Sequence, residues 1–242
     1  MRVLPLLLLV CALGAGAQDY EREKRWADEV VASLVVGDAV QIKLPAGREF
    51  LGLYTEAKPA KGAVLLVHGI GVHPDHGVIG FLRAALPEAG YATLSIQMPV
   101  LRADAAPDEY KAVFPEAAAR IQAGADWLAA KGYARPVLLS HSMGSRMSNA
   151  YFEATPLSPF GAWLCLGLSG EFGRMGNVRV PVLDVLGEND LVGVRRSDWR
   201  RRLSLENIAG SRQVTIAGAD HFYAGREKEL AAAIVVFLQA IK

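Results

Sequence analysis

From Ala63 onward, apolar runs of strand length alternate with stretches of helix length. The runs are Ala63–Val67, Ala92–Gln97, Val137–Ser140, Gly161–Leu168, Val182–Leu186 and Gln213–Ile216. Most are nearly continuous rather than alternating, as strands of a parallel sheet covered on both faces must be. Between them, Phe114, Ala118, Ile121, Ala125 and Leu128 form one helical stripe, and Leu230, Ile234, Phe237, Leu238 and Ile241 form another. Strand–helix alternation of this kind implies right-handed crossovers and a doubly wound sheet. Upstream, residues 19–36 read as a helix, with Trp26, Val30 and Leu34 recurring every fourth position and charges on the other face. Asp38–Leu44 and Glu49–Glu56 read as strands joined by a turn at Pro45-Ala46-Gly47. A hairpin feeding a parallel sheet predicts a mostly parallel sheet of about eight strands. Only about a dozen residues separate the strand ending near Leu168 from the one starting near Val180. Lids grow from such connections at the carboxyl ends of strands, so the spacing predicts an open site and no large cap domain.

With 242 residues, 52% of them hydrophobic, the chain has the material for one well-buried domain, expected over residues 18–242. Its net charge of +1 argues against nucleic acid or an anionic membrane as the main partner, since both require a basic excess. Residues 1–17 carry the three parts of a secretory signal: Arg2, an apolar stretch from Leu4 to Leu13, and small residues at Ala15-Gly16-Ala17. The stretch is too short for a permanent membrane helix. The expectation is an exported protein, periplasmic or secreted, starting near Gln18 and with no integral membrane segment after cleavage. A lipid anchor at Cys11 is the competing reading, although Val10 is bulky where such sites take a small residue. Cys165 lies in an apolar strand and reads as a small buried hydrophobe.

The candidate chemistry centres on Leu138-Leu139-Ser140-His141-Ser142-Met143-Gly144, followed by a helical stretch from Ser145 to Phe152. A serine at a sharp strand-to-helix turn displays its hydroxyl above the sheet, where a base and a substrate both reach it. The crowded turn calls for small residues two before and two after it; here these are Ser140, where glycine is usual, and Gly144. His221, in Gly218-Ala219-Asp220-His221-Phe222, follows the last expected strand and suits a general base. Asp190, in Gly187-Glu188-Asn189-Asp190, suits the acid that orients it. Glu188 comes very soon after its strand, and Asp184 lies inside it, where a structural hydrogen bond is the better reading. After an earlier strand, Val67-His68-Gly69-Ile70-Gly71 offers a turn whose backbone N–H could face a developing oxyanion, at Ile70 or failing that Gly71. The amide of Met143 is the second donor.

The order Ser142, Asp190, His221, each after a separate strand, is that of the α/β-hydrolase triad. On these residues and His68-Gly69, the chain resembles the α/β-hydrolase superfamily over roughly residues 40–242. Leu65 to Asp75 and Ser95 to Leu101 resemble more narrowly a bacterial branch described only as a domain of unknown function. That narrower resemblance implies export and a Gram-negative origin, and brings no substrate. The reading is a serine hydrolase acting on a small-molecule ester or related acyl compound, with no cofactor. The alternative is an exported binding or envelope-interaction protein that keeps the fold without the activity.

Three further features have plainer readings. His73, Asp75 and His76 form a polar cluster too sparse for a metal site, with His73 and Gly71 as possible pocket lining. Arg146 could meet an anionic substrate group or make a structural ion pair. The run Arg195 to Arg202 reads as a solvated helical face with Trp199 and Leu203 turned inward.

Overall fold

The structure, a computed structural model, describes residues 18–241. The signal segment expected at residues 1–17, with Cys11, lies outside the described residues. Helix α1 (Tyr20–Ser33) is capped by Asp19, whose carboxylate accepts the amide of Arg22. It ends three residues earlier than the pattern suggests, because Leu34 is already extended. Strands β1 (Asp38–Lys43) and β2 (Glu49–Thr55) pair antiparallel across the expected turn.

Strand β3 (Gly62–Val67), helix α2 (Gly77–Ala85), strand β4 (Tyr91–Ile96) and helix α3 (Phe114–Ala130) follow. Strand β5 (Val137–His141) then leads into helix α4 (Met143–Ala154). The remaining elements are β6 (Ala162–Leu166), β7 (Val182–Gly187), α5 (Val192–Arg195), α6 (Asp198–Leu205), β8 (Arg212–Ile216) and α7 (Glu227–Ala240). Among the described residues the sheet has eight strands, in the order β1-β2-β4-β3-β5-β6-β7-β8. From β4 through β8 every neighbouring pair is parallel, and only β1–β2 and β2–β4 are antiparallel.

Side chains of one strand serve opposite cores. Leu65 and Val67 pack with α3 and α4, while Val64 and Leu66 pack with α2 and α7. Successive crossovers run from β3 to β4 in one direction and then return past β3 to β5, so the order reverses between β3 and β5. In open sheets such a reversal opens a crevice at the carboxyl ends of the strands, which is where ligands bind. Val67-His68 and His141-Ser142 lie at those ends. Between β6 and β7 there is only a short 3-10 turn, Met175–Asn177, and no cap domain. Among the described residues no helix is long and apolar enough to cross a membrane.

One helix departs from its pattern. On α6 the buried residues are Arg201 and Leu205, whereas Trp199 and Leu203 are 51% and 56% exposed. The expectation that Trp199 and Leu203 turn inward is therefore corrected. The reason is electrostatic: Arg201 donates from Nε to Asp184 Oδ2 at 2.9 Å, and both side chains are fully buried. A charge with a buried partner takes the inward position that an apolar side chain would otherwise hold.

Candidate active site

Ser142 sits between β5 and α4 with φ 57° and ψ −117°, a backbone conformation that non-glycine residues rarely adopt. The strain turns its side chain out of the sheet. The helix that follows is pressed against the end of β3. A Cβ built on Gly144 would lie 2.4 Å from the carbonyl oxygen of His68 and 2.7 Å from that of Val67. Only glycine fits there. Ser140, by contrast, is buried within the strand, and its Oγ accepts a hydrogen bond from Trp163 Nε1 at 3.0 Å. The hydroxyl in place of the usual glycine therefore has a partner and a slot.

The structure brings Ser142, His221 and Asp190 into one hydrogen-bonded chain. Ser142 Oγ lies 2.8 Å from His221 Nε2, and His221 Nδ1 lies 2.6 Å from Asp190 Oδ1. Asp190 also accepts the amides of Leu191 (2.7 Å) and Gly187 (3.1 Å). Burial alone would raise its pKa, but the bonds from His221 and from these two amides outweigh that and hold it below the usual carboxylate value. It is therefore an anion facing the imidazole. Glu188 is exposed and accepts the amide of Gly218 at 2.7 Å, which ties the loop carrying Asp190 to the one carrying His221. Asp184 bonds Arg201 and Gln213 inside the sheet, away from His221.

Two residues at the site carry no signal in the local sequence. Gly167, just after β6, has φ 60°, and a Cβ on it would stand 2.9 Å from His221 Cε1. Its lack of a side chain makes the space in which the imidazole stands. His141 is buried beside His221, with ring centroids 5.0 Å apart, and its Nε2 donates to the backbone carbonyl of His221 at 2.9 Å. Tyr223 anchors the same loop from the other side, donating its hydroxyl to the Val185 carbonyl at 3.1 Å.

Met143 follows Ser142 directly, at the first position of α4, and Ile70 lies in the turn after β3, next to Gly69, on which a Cβ would stand 3.3 Å from Ser142 Cβ. The amide of Met143 is one of those that a helix start leaves without an intrahelical acceptor. Gly71 takes φ 64°, and its carbonyl accepts Arg22 of α1 at 3.3 Å. His73 is turned toward α1, its ring 6.0 Å from that of Trp26, and its Nδ1 accepts the amide of Asp75. The carboxylate of Asp75 is engaged by Arg83 at 2.6 Å. Arg146 pairs with Asp108 at 3.4 Å. Cys165 is fully buried, and burial pushes its thiol pKa up, so it stays neutral. Cavities of about 430, 530 and 940 Å³ open elsewhere in the molecule, and none is lined by Ser142, Asp190 or His221.

Two imidazoles near the site are neutral through burial. Desolvation pushes the pKa of His68 down to about 3 and that of His141 down to about 4, from 6.5 in an open chain. Below pH 6.5 the unfolded chain therefore binds protons that the folded one refuses. Stability is fully present above that pH and is lost as pH falls toward the folded values, by roughly 1.4 kcal/mol per pH unit for each group. Urea melts are expected to show a clearly lower midpoint at pH 5 than at pH 7.5. Equal midpoints would contradict the neutral burial of these rings.

Comparison with known proteins fits this architecture. A family model described as a protein of unknown function (DUF3530) matches residues 16–120. No curated protein matches the chain significantly. Among solved structures, the dienelactone hydrolase from Anabaena variabilis superposes with a TM-score of 0.68 at 19% identity, covering 84% of this chain and 97% of that one. Est1E from Butyrivibrio proteoclasticus gives 0.66 at 18% identity, covering 84% and 98%. A serine hydrolase without a lid from Xanthomonas campestris gives 0.62 at 16% identity, covering 85% and 95%. The chain has the α/β-hydrolase fold.

Proposed function

We propose that the protein is a serine hydrolase that cleaves esters or related acyl compounds through Ser142. The observation that carries this is the continuous chain Ser142 Oγ, His221 Nε2, His221 Nδ1, Asp190 Oδ1, with separations of 2.8 and 2.6 Å at its two hydrogen bonds. A binding protein needs neither that chain nor a strained serine at the head of a helix. The names of structural neighbours, a dienelactone hydrolase and a serine hydrolase without a lid, support the same class.

His221 Nε2 takes the hydroxyl proton as Ser142 Oγ attacks the acyl carbon, and the carbonyl electrons move onto oxygen. The amides of Met143 and Ile70 face that oxyanion; one such donor is typically worth about a hundred- to a thousandfold in rate. The imidazolium, stabilised by anionic Asp190, gives its proton to the leaving alcohol, and the acyl group stays on Ser142. Water then repeats the sequence, with His221 again taking a proton, and releases the carboxylic acid. Among the described residues no cap domain stands between β6 and β7.

A turnover screen over p-nitrophenyl esters, acyl thioesters and aryl amides tests the reading. Hydrolysis of at least the esters, lost in Ser142→Ala, is expected. A folded wild-type protein with no turnover on any of the three would overturn it.

A further inference from the structure

The turn after β3 contains a second buried imidazole arrangement, one that the acyl-transfer steps above do not use. His68 is 1% exposed. Its Nε2 lies 2.9 Å from the amide nitrogen of Met98 and 3.2 Å from Gln97 Nε2. A backbone N–H and a carboxamide NH₂ only donate, so this ring nitrogen is the acceptor and carries no proton. The ring proton therefore sits on Nδ1, which lies 2.9 Å from the carbonyl oxygen of Gly69.

That carbonyl belongs to the same peptide unit as the N–H of Ile70. Among the described residues the only cis bond is Lys58-Pro59, so the Gly69–Ile70 unit is trans. In a trans peptide the C=O and N–H point in opposite directions, and fixing one aims the other. The turn is also in direct contact with the nucleophile: a Cβ on Gly69 would lie 3.3 Å from Ser142 Cβ.

We infer that His68 is a positioning residue, whose Nδ1–H holds the Gly69 carbonyl so that the Ile70 N–H is preset toward the oxyanion. The inference rests on the serine-hydrolase reading of Ser142. A hydrogen bond accepted by the carbonyl also polarises the peptide and strengthens its N–H as a donor. Burial keeps the ring neutral far below neutral pH, so the donating tautomer persists. The far side of the imidazole is held in turn. Gln97 donates to the Met98 carbonyl, Arg120 donates to the Gln97 carbonyl, and Arg120 is paired with Glu23 of α1. Helix α1 thereby braces the turn through a chain of polar contacts.

Asparagine and glutamine separate the two ring nitrogens, since an Asn amide reaches the place of Nδ1 and a Gln amide that of Nε2. With p-nitrophenyl acetate as substrate, His68→Gln is expected to lower kcat by about a hundredfold or more, the scale of a lost oxyanion donor, with KM nearly unchanged. His68→Asn is expected to recover most of that loss. Equal losses in the two variants, or a fall in KM-limited binding alone, overturn the inference and leave the hydrolase reading standing. Imidazole ¹⁵N correlation spectra of the wild-type protein give an answer that does not depend on variants folding. A proton on Nδ1 of His68 is expected, and one on Nε2 overturns the inference. A wild-type protein without Ser142-dependent hydrolysis overturns the reading of the site and the inference with it.

Discussion

Ser142→Gly is expected to raise the stability of the protein by about 1 kcal/mol while lowering kcat about a millionfold. The gain comes from the backbone. At φ 57° and ψ −117° a side chain is strained, and such positions cost roughly 1–3 kcal/mol. Glycine relieves that strain, and its greater freedom in the unfolded chain offsets about 0.5–1 kcal/mol of the gain. The loss comes from the hydroxyl, without which no acyl group can be transferred to the protein. For a domain of this size the melting temperature should rise by about 2–4 °C. Ser142→Ala separates the two effects, since it loses the hydroxyl but keeps the strain. It should lose the activity without gaining the stability. A glycine variant no more stable than the alanine variant would show that the turn stores no strain.

Asp190→Asn is expected to lower kcat by about ten-thousandfold with KM little changed, the scale seen when the acid of a Ser-His-Asp triad is neutralised. The carboxylate accepts the Nδ1–H of His221 and so keeps the lone pair of Nε2 aimed at Ser142. An asparagine can present its NH₂ to Nδ1 instead, which moves the ring proton to Nε2 and leaves nothing to take the hydroxyl proton. It also presents one oxygen where the acid uses two, one on Leu191 and one on Gly187. A loss of stability of about 1–2 kcal/mol is expected to accompany the kinetic change. Steady-state kinetics on the variant check this. Near-normal kcat in Asp190→Asn together with a large loss in Glu188→Gln would move the acid to Glu188.

Most of the architecture was legible because burial on both faces writes itself into the chain. Strands β3, β5 and β6 have no solvent side, so their apolar runs are unbroken and easily placed. The strand and helix ends were blurred for a local reason. The run through Leu168 stops at Leu166 because Gly167 turns left-handed to clear His221, and no periodicity shows that. His141 and Gly167 acquire meaning only when β5, β6 and the last loop meet, far apart in sequence. The same holds for Arg201, which hydropathy places outside and its partner Asp184 places inside. Likewise Ser140 looks like a flaw in the elbow until Trp163, on the neighbouring strand, is seen to donate to it. What the linear pattern carried well was order. Three polar residues on three strand ends were named from sequence, and folding joins their side chains into one hydrogen-bonded chain.

Exposing the folded protein to a fluorophosphonate and mapping the adduct by mass spectrometry tests the central claim most directly. The account predicts a single covalent phosphonyl adduct on the peptide carrying Ser142, and no adduct in His221→Ala. A folded wild-type protein that stays unlabelled, or that is labelled at another residue, would contradict it.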